Sequence, residues 1–178
     1  MFLEGQKTMT DPTGGTPPVS LPRLPCSISQ RMDLIYKTEW SEDLDWDQVS
    51  VLAQHVDAYF APAGAKIFEQ DGQGHCLCIL VEGEVDVSMT DSSGTKKNLS
   101  AIETGKPFGE MSLIDGEPRS ATAVAKVDSK VLTLTQDEFR ALSEEDPKLG
   151  SILLFKLAEL MSHRLRQTSG MLVEYLES

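Results

Sequence analysis

The sequence is short of positive charge. Its 16 lysines and arginines face 28 aspartates and glutamates, which gives a formal net charge of −12. Because neutralising a phosphate backbone needs a basic surface, this balance argues against nucleic acid as a partner. An anionic ligand would have to be held by local donors against the overall negative field.

Cysteine is also scarce. Cys26, Cys76 and Cys78 are an odd number, which excludes a complete disulfide framework and disfavours a four-cysteine iron–sulfur centre. Cys76 and Cys78 lie two residues apart in a strand-like run, so we expect them to share one face of the strand. Structural zinc needs four ligands at a recognisable spacing, so buried thiols are favoured over a metal pair and we expect no metal.

Long apolar runs and catalytic pairings are missing as well. No stretch approaches the length of a membrane span, and the N-terminus lacks the basic-then-apolar order of a signal peptide. We therefore expect a soluble, cytoplasmic protein with no membrane partner. No nucleophile–base pair stands out, so we expect a protein that is not an enzyme; a hydrolase with Glu110 as the base has no further support.

The 178 residues suffice for one domain with extensions. Residues 1–30 are rich in proline and glycine and predict a disordered or loosely attached extension. Residues 31–43 read as transitional, and apolar spacing predicts a helix over 44–56. Short β-leaning runs then alternate with turn signals from 57 to 135, which is typical of a closed or sandwiched antiparallel β architecture. We assign residues 31–146 to this domain and its flanking helices.

Helix signals return at Thr135, which opens a capping box that ends at Glu138. Asp146 and Pro147 then fit the N-cap and first position of a helix that continues to about residue 176. Residues 147–178 are thus assigned to a long C-terminal helix of the same domain. Its apolar residues cover more than one stripe, which favours a homodimer through this helix. The alternative is a single face packed on its own domain.

The stretch from Gly105 to Ala125 carries the strongest functional signal. Small and breaker residues lead into one or two predicted helical turns that end at Gly116 and Pro118. The first turn leaves backbone N–H groups that favour a phosphate, and the guanidinium of Arg119 suits the same anion. The carboxylate of Glu110 can accept hydrogen bonds from sugar hydroxyls. The residues predict a cradle for a phosphate and a ribose, although other interpretations stay open.

Phe108-Gly-Glu-Met-Ser-Leu, a short spacer and Pro118-Arg-Ser-Ala-Thr resemble the phosphate-binding cassette of cyclic nucleotide-binding domains. That family includes bacterial catabolite-activator-type regulators, the regulatory subunits of cyclic-AMP-dependent kinase and cyclic-nucleotide-gated channels. The resemblance implies a jelly-roll-like β-roll with turn glycines at Gly72, Gly83 and Gly105. It implies that Glu110 binds the ribose 2′-hydroxyl and Arg119 the cyclic phosphate. The backbone around the following residues would complete the cradle: Gly109, Met111, Ser112, Ser120 and Ala121.

A second resemblance lies in the C-terminal helix, from Met161 to Ser169, and is to the catabolite-activator type. It implies that Arg164 lies near the phosphate and that Thr168 and Ser169 contact the adenine, the serine across a dimer. Mid-helix hydroxyls that only face solvent are the alternative. The sequence stops where such regulators continue into a helix-turn-helix domain, so it reads as a stand-alone sensor or a ligand-binding fragment.

The function predicted from the sequence is a regulatory module that senses a cyclic nucleotide, with cAMP favoured over cGMP, without a further cofactor. Occupancy would rearrange the C-terminal helices for a downstream protein partner that the sequence does not identify. The alternative is a protein-interaction scaffold in which the nucleotide pocket is unused.

Overall fold

Two four-stranded antiparallel sheets form the body of the protein, in a computed structural model that describes residues 21–177. The strands in chain order are β1 Asp57–Ala61, β2 Lys66–Phe68, β3 Cys76–Glu82, β4 Val85–Thr90, β5 Lys96–Ile102, β6 Pro107–Phe108, β7 Thr122–Ala125 and β8 Ser129–Thr135. Within the sheets their orders are β1-β8-β3-β6 and β2-β7-β4-β5. The predicted antiparallel β-roll is confirmed. The two-residue β6 was missed, because so short a strand has no periodicity to read.

The five helices flank this roll, and together with a short 3₁₀ turn at Glu39–Ser41 they complete the regular structure of the described chain. They are α1 Ile28–Ile35, α2 Trp46–His55, α3 Glu110–Asp115, α4 Gln136–Glu145 and α5 Pro147–Glu177. No helix within residues 21–177 is both long and apolar enough to cross a membrane.

Strand β3 is buried on both faces and divides the interior into two cores. Cys76, Cys78 and Leu80 point into the core between the sheets, together with Phe68 and Phe108. The alternating residues Leu77, Ile79 and Val81 point to the other side, where they pack with the helices. The prediction that Cys76 and Cys78 share one face of a strand is thus confirmed, because successive side chains in a strand alternate between faces.

The chain before residue 31 is more ordered than the sequence predicted. Leu24 N–H donates to the Ala58 carbonyl at 2.8 Å, and Phe60 N–H donates to Pro22 at 3.0 Å. Ser27 then caps α1 through a reciprocal capping box with Gln30. Residues 21–30 thus include a strand-like bridge and the capped start of a helix, which the prolines of this segment hid from the sequence pattern. Residues 1–20 of the predicted extension lie outside the described residues.

The capping box predicted at the start of α4 forms only in part. Thr135 accepts from the Glu138 N–H at 3.2 Å, as a capping box requires. The Glu138 carboxylate instead meets His55 Nδ1 at 2.8 Å, and Glu145 meets His55 Nε2 at 3.0 Å. These contacts tie α2 to both ends of α4. Asp146 then caps α5, accepting from Leu149 N–H at 2.9 Å.

One predicted turn glycine, Gly72, is required by space rather than by a left-handed backbone, because a Cβ atom there would lie 2.9 Å from the Glu69 carbonyl oxygen. Gly83 and Gly105 have φ of 109° and 89°, in the region that favours glycine. At the first predicted turn the positive φ belongs instead to Asp71, at 62°. Aspartate tolerates this left-handed conformation better than most residues, so the left-handed residue of this turn is the one before Gly72.

Candidate functional site

The predicted cassette folds as a strand, a short helix and a return. Strand β6 leads into Gly109, which has φ of 74° and is the N-cap of α3. The helix ends at Gly116, whose φ is 70°. A Cβ atom on Gly109 would lie 2.7 Å from Nη1 of Arg119, so glycine is required here by both backbone conformation and space.

Arg119 is the unusual cation of the site. Its side chain points inward and the residue is 2% exposed. Nη1 donates to the Gly109 carbonyl at 2.8 Å, Nη2 donates to Cys76 Sγ at 3.0 Å, and Cζ lies 4.2 Å from the centre of the Phe68 ring. Nε is buried and has no hydrogen-bond partner in the structure. Within residues 21–177 no carboxylate forms an ion pair with this guanidinium, so it retains donors for an anion.

Glu110 supplies hydrogen-bond acceptors to the site, whereas Arg119 supplies donors. Its side chain is 3% exposed, and Oε1 lies 2.5 Å from Nη1 of Arg164 on α5. Nη2 of Arg164 donates to the Pro107 carbonyl at 2.9 Å. The second carboxylate oxygen, Oε2, is buried without a partner. Because such an acceptor is costly to leave unpaired, it fits a ligand that presents a hydroxyl donor.

Three residues that sequence reasoning missed surround the guanidinium. Phe68 lies under its plane, Cys76 accepts from it, and Gly74 leaves room beside it, since a Cβ there would lie 3.1 Å from Nε. Cys76 and Phe68 were visible only as core residues of strands. Their contact with Arg119 depends on how the two sheets pack, which no local pattern in the sequence reports.

The two thiols in this core differ in acidity. A hydrogen bond from Cys78, assisted by the nearby Arg119, lowers the pKa of Cys76 to about 7 against the effect of burial. The same hydrogen bond and the burial of Cys78 raise the pKa of the Cys78 thiol well above its usual value. Cys76 is the thiol whose anion the structure favours, because Nη2 of Arg119 lies 3.0 Å from its Sγ. Among the described residues, no group of three or more histidine, cysteine, aspartate or glutamate side chains is placed so that it could hold a metal ion.

The remaining predicted site residues divide into those near the cassette and those away from it. Ser112 and Ala121 are buried, whereas Met111 and Ser120 are exposed and Ser120 Oγ donates to Met111 Sδ at 3.7 Å. Arg164 is joined to the cassette through Glu110. Thr168 and Ser169 are exposed on α5, and no hydrogen bond in the described chain joins them to the cassette. Their contact with a base stays a prediction.

Comparison with known proteins agrees with this geometry. Residues 60–146 match the family model of the cyclic nucleotide-binding domain. The chain is 32% identical over 121 residues to the cyclic AMP receptor protein of Thermus thermophilus, covering 68% of this chain and 54% of that protein. It is 37% identical over 91 residues to the cAMP-dependent protein kinase regulatory subunit of Aspergillus fumigatus, covering 51% of this chain and 21% of that subunit. The chain thus spans about half or less of the length of these relatives.

A solved structure shares the fold as well. The crystal structure of a cyclic nucleotide-binding domain from Methylobacillus flagellatus matches with a TM-score of 0.69 and 28% identity, over 79% of either chain. The resemblance inferred from the cassette is therefore confirmed. Residues 60–146 of this chain belong to the cyclic nucleotide-binding domain family.

Proposed function

We propose that this protein is a regulatory module that binds cAMP in its cassette and transmits occupancy to α5. The observation that carries the proposal is a pair of buried, unpartnered atoms of opposite character, Nε of Arg119 and Oε2 of Glu110. The first needs an acceptor and the second a donor. A cyclic nucleotide offers both, an anionic phosphate and a ribose 2′-hydroxyl, on one small rigid body.

The backbone can complete the phosphate site. The first N–H groups of α3 have no acceptors within the helix, and Gly109 makes no side-chain cap bond. Ser120 and Ala121 lie directly after Arg119 and add two further N–H groups at the same turn. The cyclic phosphate would thus meet one guanidinium and several neutral donors, which suits a single negative charge.

Two connections lead from the cassette to the C-terminal helices. The Glu110 carboxylate is shared between the proposed ribose site and Arg164 of α5. Leu113 of α3 packs in the same apolar cluster as Leu153 and Leu157 of α5. A nucleotide that prefers one position of Glu110 and α3 would therefore bias the position of α5, by no more than its difference in affinity between the two arrangements.

The distal part of α5 supports a second copy of this chain as a partner. Beyond Leu157 no residue of the helix through residue 176 is buried. From Leu154 onward, exposed positions recur with the alternating spacing of four and three residues that coiled coils use, at Leu154, Ala158, Met161, Leu165, Thr168, Leu172 and Tyr175. A homodimer through this stripe would place Thr168 in the seam and Ser169 beside it, within reach of a nucleotide in either protomer.

Thermal unfolding with excess cAMP or cGMP tests the proposal. At a hundredfold excess over Kd, binding stabilises the native state by about 2.7 kcal/mol, which corresponds to a Tm rise of about 5–11 °C for a chain of this size. Arg119→Ala should reduce the rise to about a third of the parent's or less at the same ligand concentration. Arg140→Ala is the matched control, because Arg140 is 67% exposed on α4 and should leave the rise intact. A Tm that neither nucleotide shifts would contradict the proposal and favour a scaffold.

A further inference from the structure

The neighbour that faces Nη2 of Arg119 is a thiol rather than a carboxylate. Cys76 Sγ lies 3.0 Å from that nitrogen, and neither residue is more than 2% exposed. A buried guanidinium is costly unless a negative or strongly accepting group compensates it. The Gly109 carbonyl and the Phe68 ring compensate it in part, but neither carries a net charge. Cys76 is the group in contact with Arg119 that can become an anion.

The surroundings of Cys76 favour that anion. Cys78 lies two residues along β3 on the same face, and burial beside Cys76 raises the pKa of its thiol so that it keeps its proton, while its neighbouring S–H and Arg119 lower the pKa of Cys76. Arg119 adds a positive charge from the turn before β7. The apolar and aromatic side chains of the core around the two thiols include one further ionisable group, the phenol of Tyr59. The Glu110 carboxylate of the cassette is engaged by Arg164.

We propose that the Cys76 thiolate is the counter-ion of Arg119 in the nucleotide-free protein, and that the nucleotide phosphate replaces it, so that binding above neutral pH takes up a proton at Cys76. This inference rests on the proposed function, since it concerns the same guanidinium. Cys76 is thereby a positioning residue: it holds Arg119 inward before the ligand arrives, and it sets how affinity depends on pH.

The direction in which cAMP affinity changes with pH follows from proton linkage. Cys76 titrates near 7 in the free protein. A phosphate anion on Arg119 opposes a second negative charge beside it, so the thiol in the complex titrates at a higher pH. Affinity for cAMP should therefore be constant below neutral pH and weaken as the pH rises through the free-protein value. If the bound thiol returns to an ordinary thiol pKa, the loss between about pH 6 and pH 8.5 is ~20-fold.

The test is an isothermal titration of cAMP across that pH range with the parent protein and with Cys76→Ser. The phosphodiester keeps its single charge throughout, so the ligand contributes no slope of its own. We expect the parent to lose affinity as the pH rises and Cys76→Ser, whose hydroxyl does not ionise, to give a flat profile. Titrations at about pH 8 in two buffers of different ionisation enthalpy should show uptake of about one proton per site by the parent and none by the variant.

A readout on the parent alone keeps the inference testable if the variant does not fold. The thiolate absorbs in the ultraviolet, so its band should appear as the free protein is raised through neutral pH and should fade on addition of cAMP. A parent profile that is flat with pH, or a slope that Cys76→Ser retains, overturns the inference while nucleotide binding through Arg119 stands. Absence of binding at every pH overturns the proposed function instead.

Discussion

Removing the Arg164 side chain should destabilise the protein, because this residue joins α5 to the cassette. Arg164→Ala leaves the 3% exposed carboxylate of Glu110 without its cation and the Pro107 carbonyl without a donor. Breaking a fully buried pair costs about 3–5 kcal/mol, but Arg164 is 36% exposed and water can replace part of it, so we expect about 1–3 kcal/mol. That corresponds to a Tm decrease of roughly 2–12 °C for a chain of this size.

The assay is a double-mutant cycle in thermal or urea unfolding without nucleotide. In a Glu110→Gln background the same Arg164→Ala change removes no ion pair, so its cost should shrink and the coupling free energy should be about 1–2 kcal/mol. Arg166→Ala is the matched control: it lies two residues along α5 on an exposed position and should change stability by less than ~0.5 kcal/mol. Equal costs of Arg164→Ala in both backgrounds would refute the claim that Glu110 and Arg164 are coupled.

Three further predictions address the ligand contacts and the partner. Removing the ribose 2′-hydroxyl, with 2′-deoxy-cAMP as the ligand, should weaken binding by about 1.5–3 kcal/mol, and calorimetry with Glu110→Gln should show a smaller difference between the two ligands. Gly74→Ala places a Cβ 3.1 Å from Nε of Arg119, so a nucleotide titration should show reduced affinity while circular dichroism stays that of the parent. Leu165→Glu, within the spaced stripe of α5, should shift sedimentation toward a monomer, whereas Val173→Glu, exposed but outside the stripe, should shift it less.

The cassette was predictable because its information is local. Gly109, Glu110 and Arg119 lie within eleven residues of one another, and each has a conformational or charge requirement that few residue types meet. The β-roll could be predicted for a similar reason, since turn residues recur at short intervals. The sequence does not show which distant residue a charged side chain contacts. The Glu138 side chain contacts His55 instead of completing its capping box, and the two residues are 83 positions apart in the sequence.

The contacts around Arg119 were hidden for the same reason. Cys76 belongs to a strand that reads as continuous core, and nothing in its neighbours reveals that a guanidinium lies against it. The first helix was missed because the prolines before it dominated the pattern, although Ser27 and Gln30 form a capping box that a closer reading of spacing could have found. Local patterns thus predicted most helices and strands and the cassette, whereas the residues that contact Arg119 depend on long-range packing.

Calorimetric titration of cAMP into the purified protein and into Arg119→Ala tests the central claim most directly. The account predicts saturable binding by the parent and a loss of about 2–5 kcal/mol in the variant, which is a weakening of roughly 30- to 4,000-fold. A variant that binds as tightly as the parent, or a parent that shows no heat of binding with this nucleotide, would contradict it.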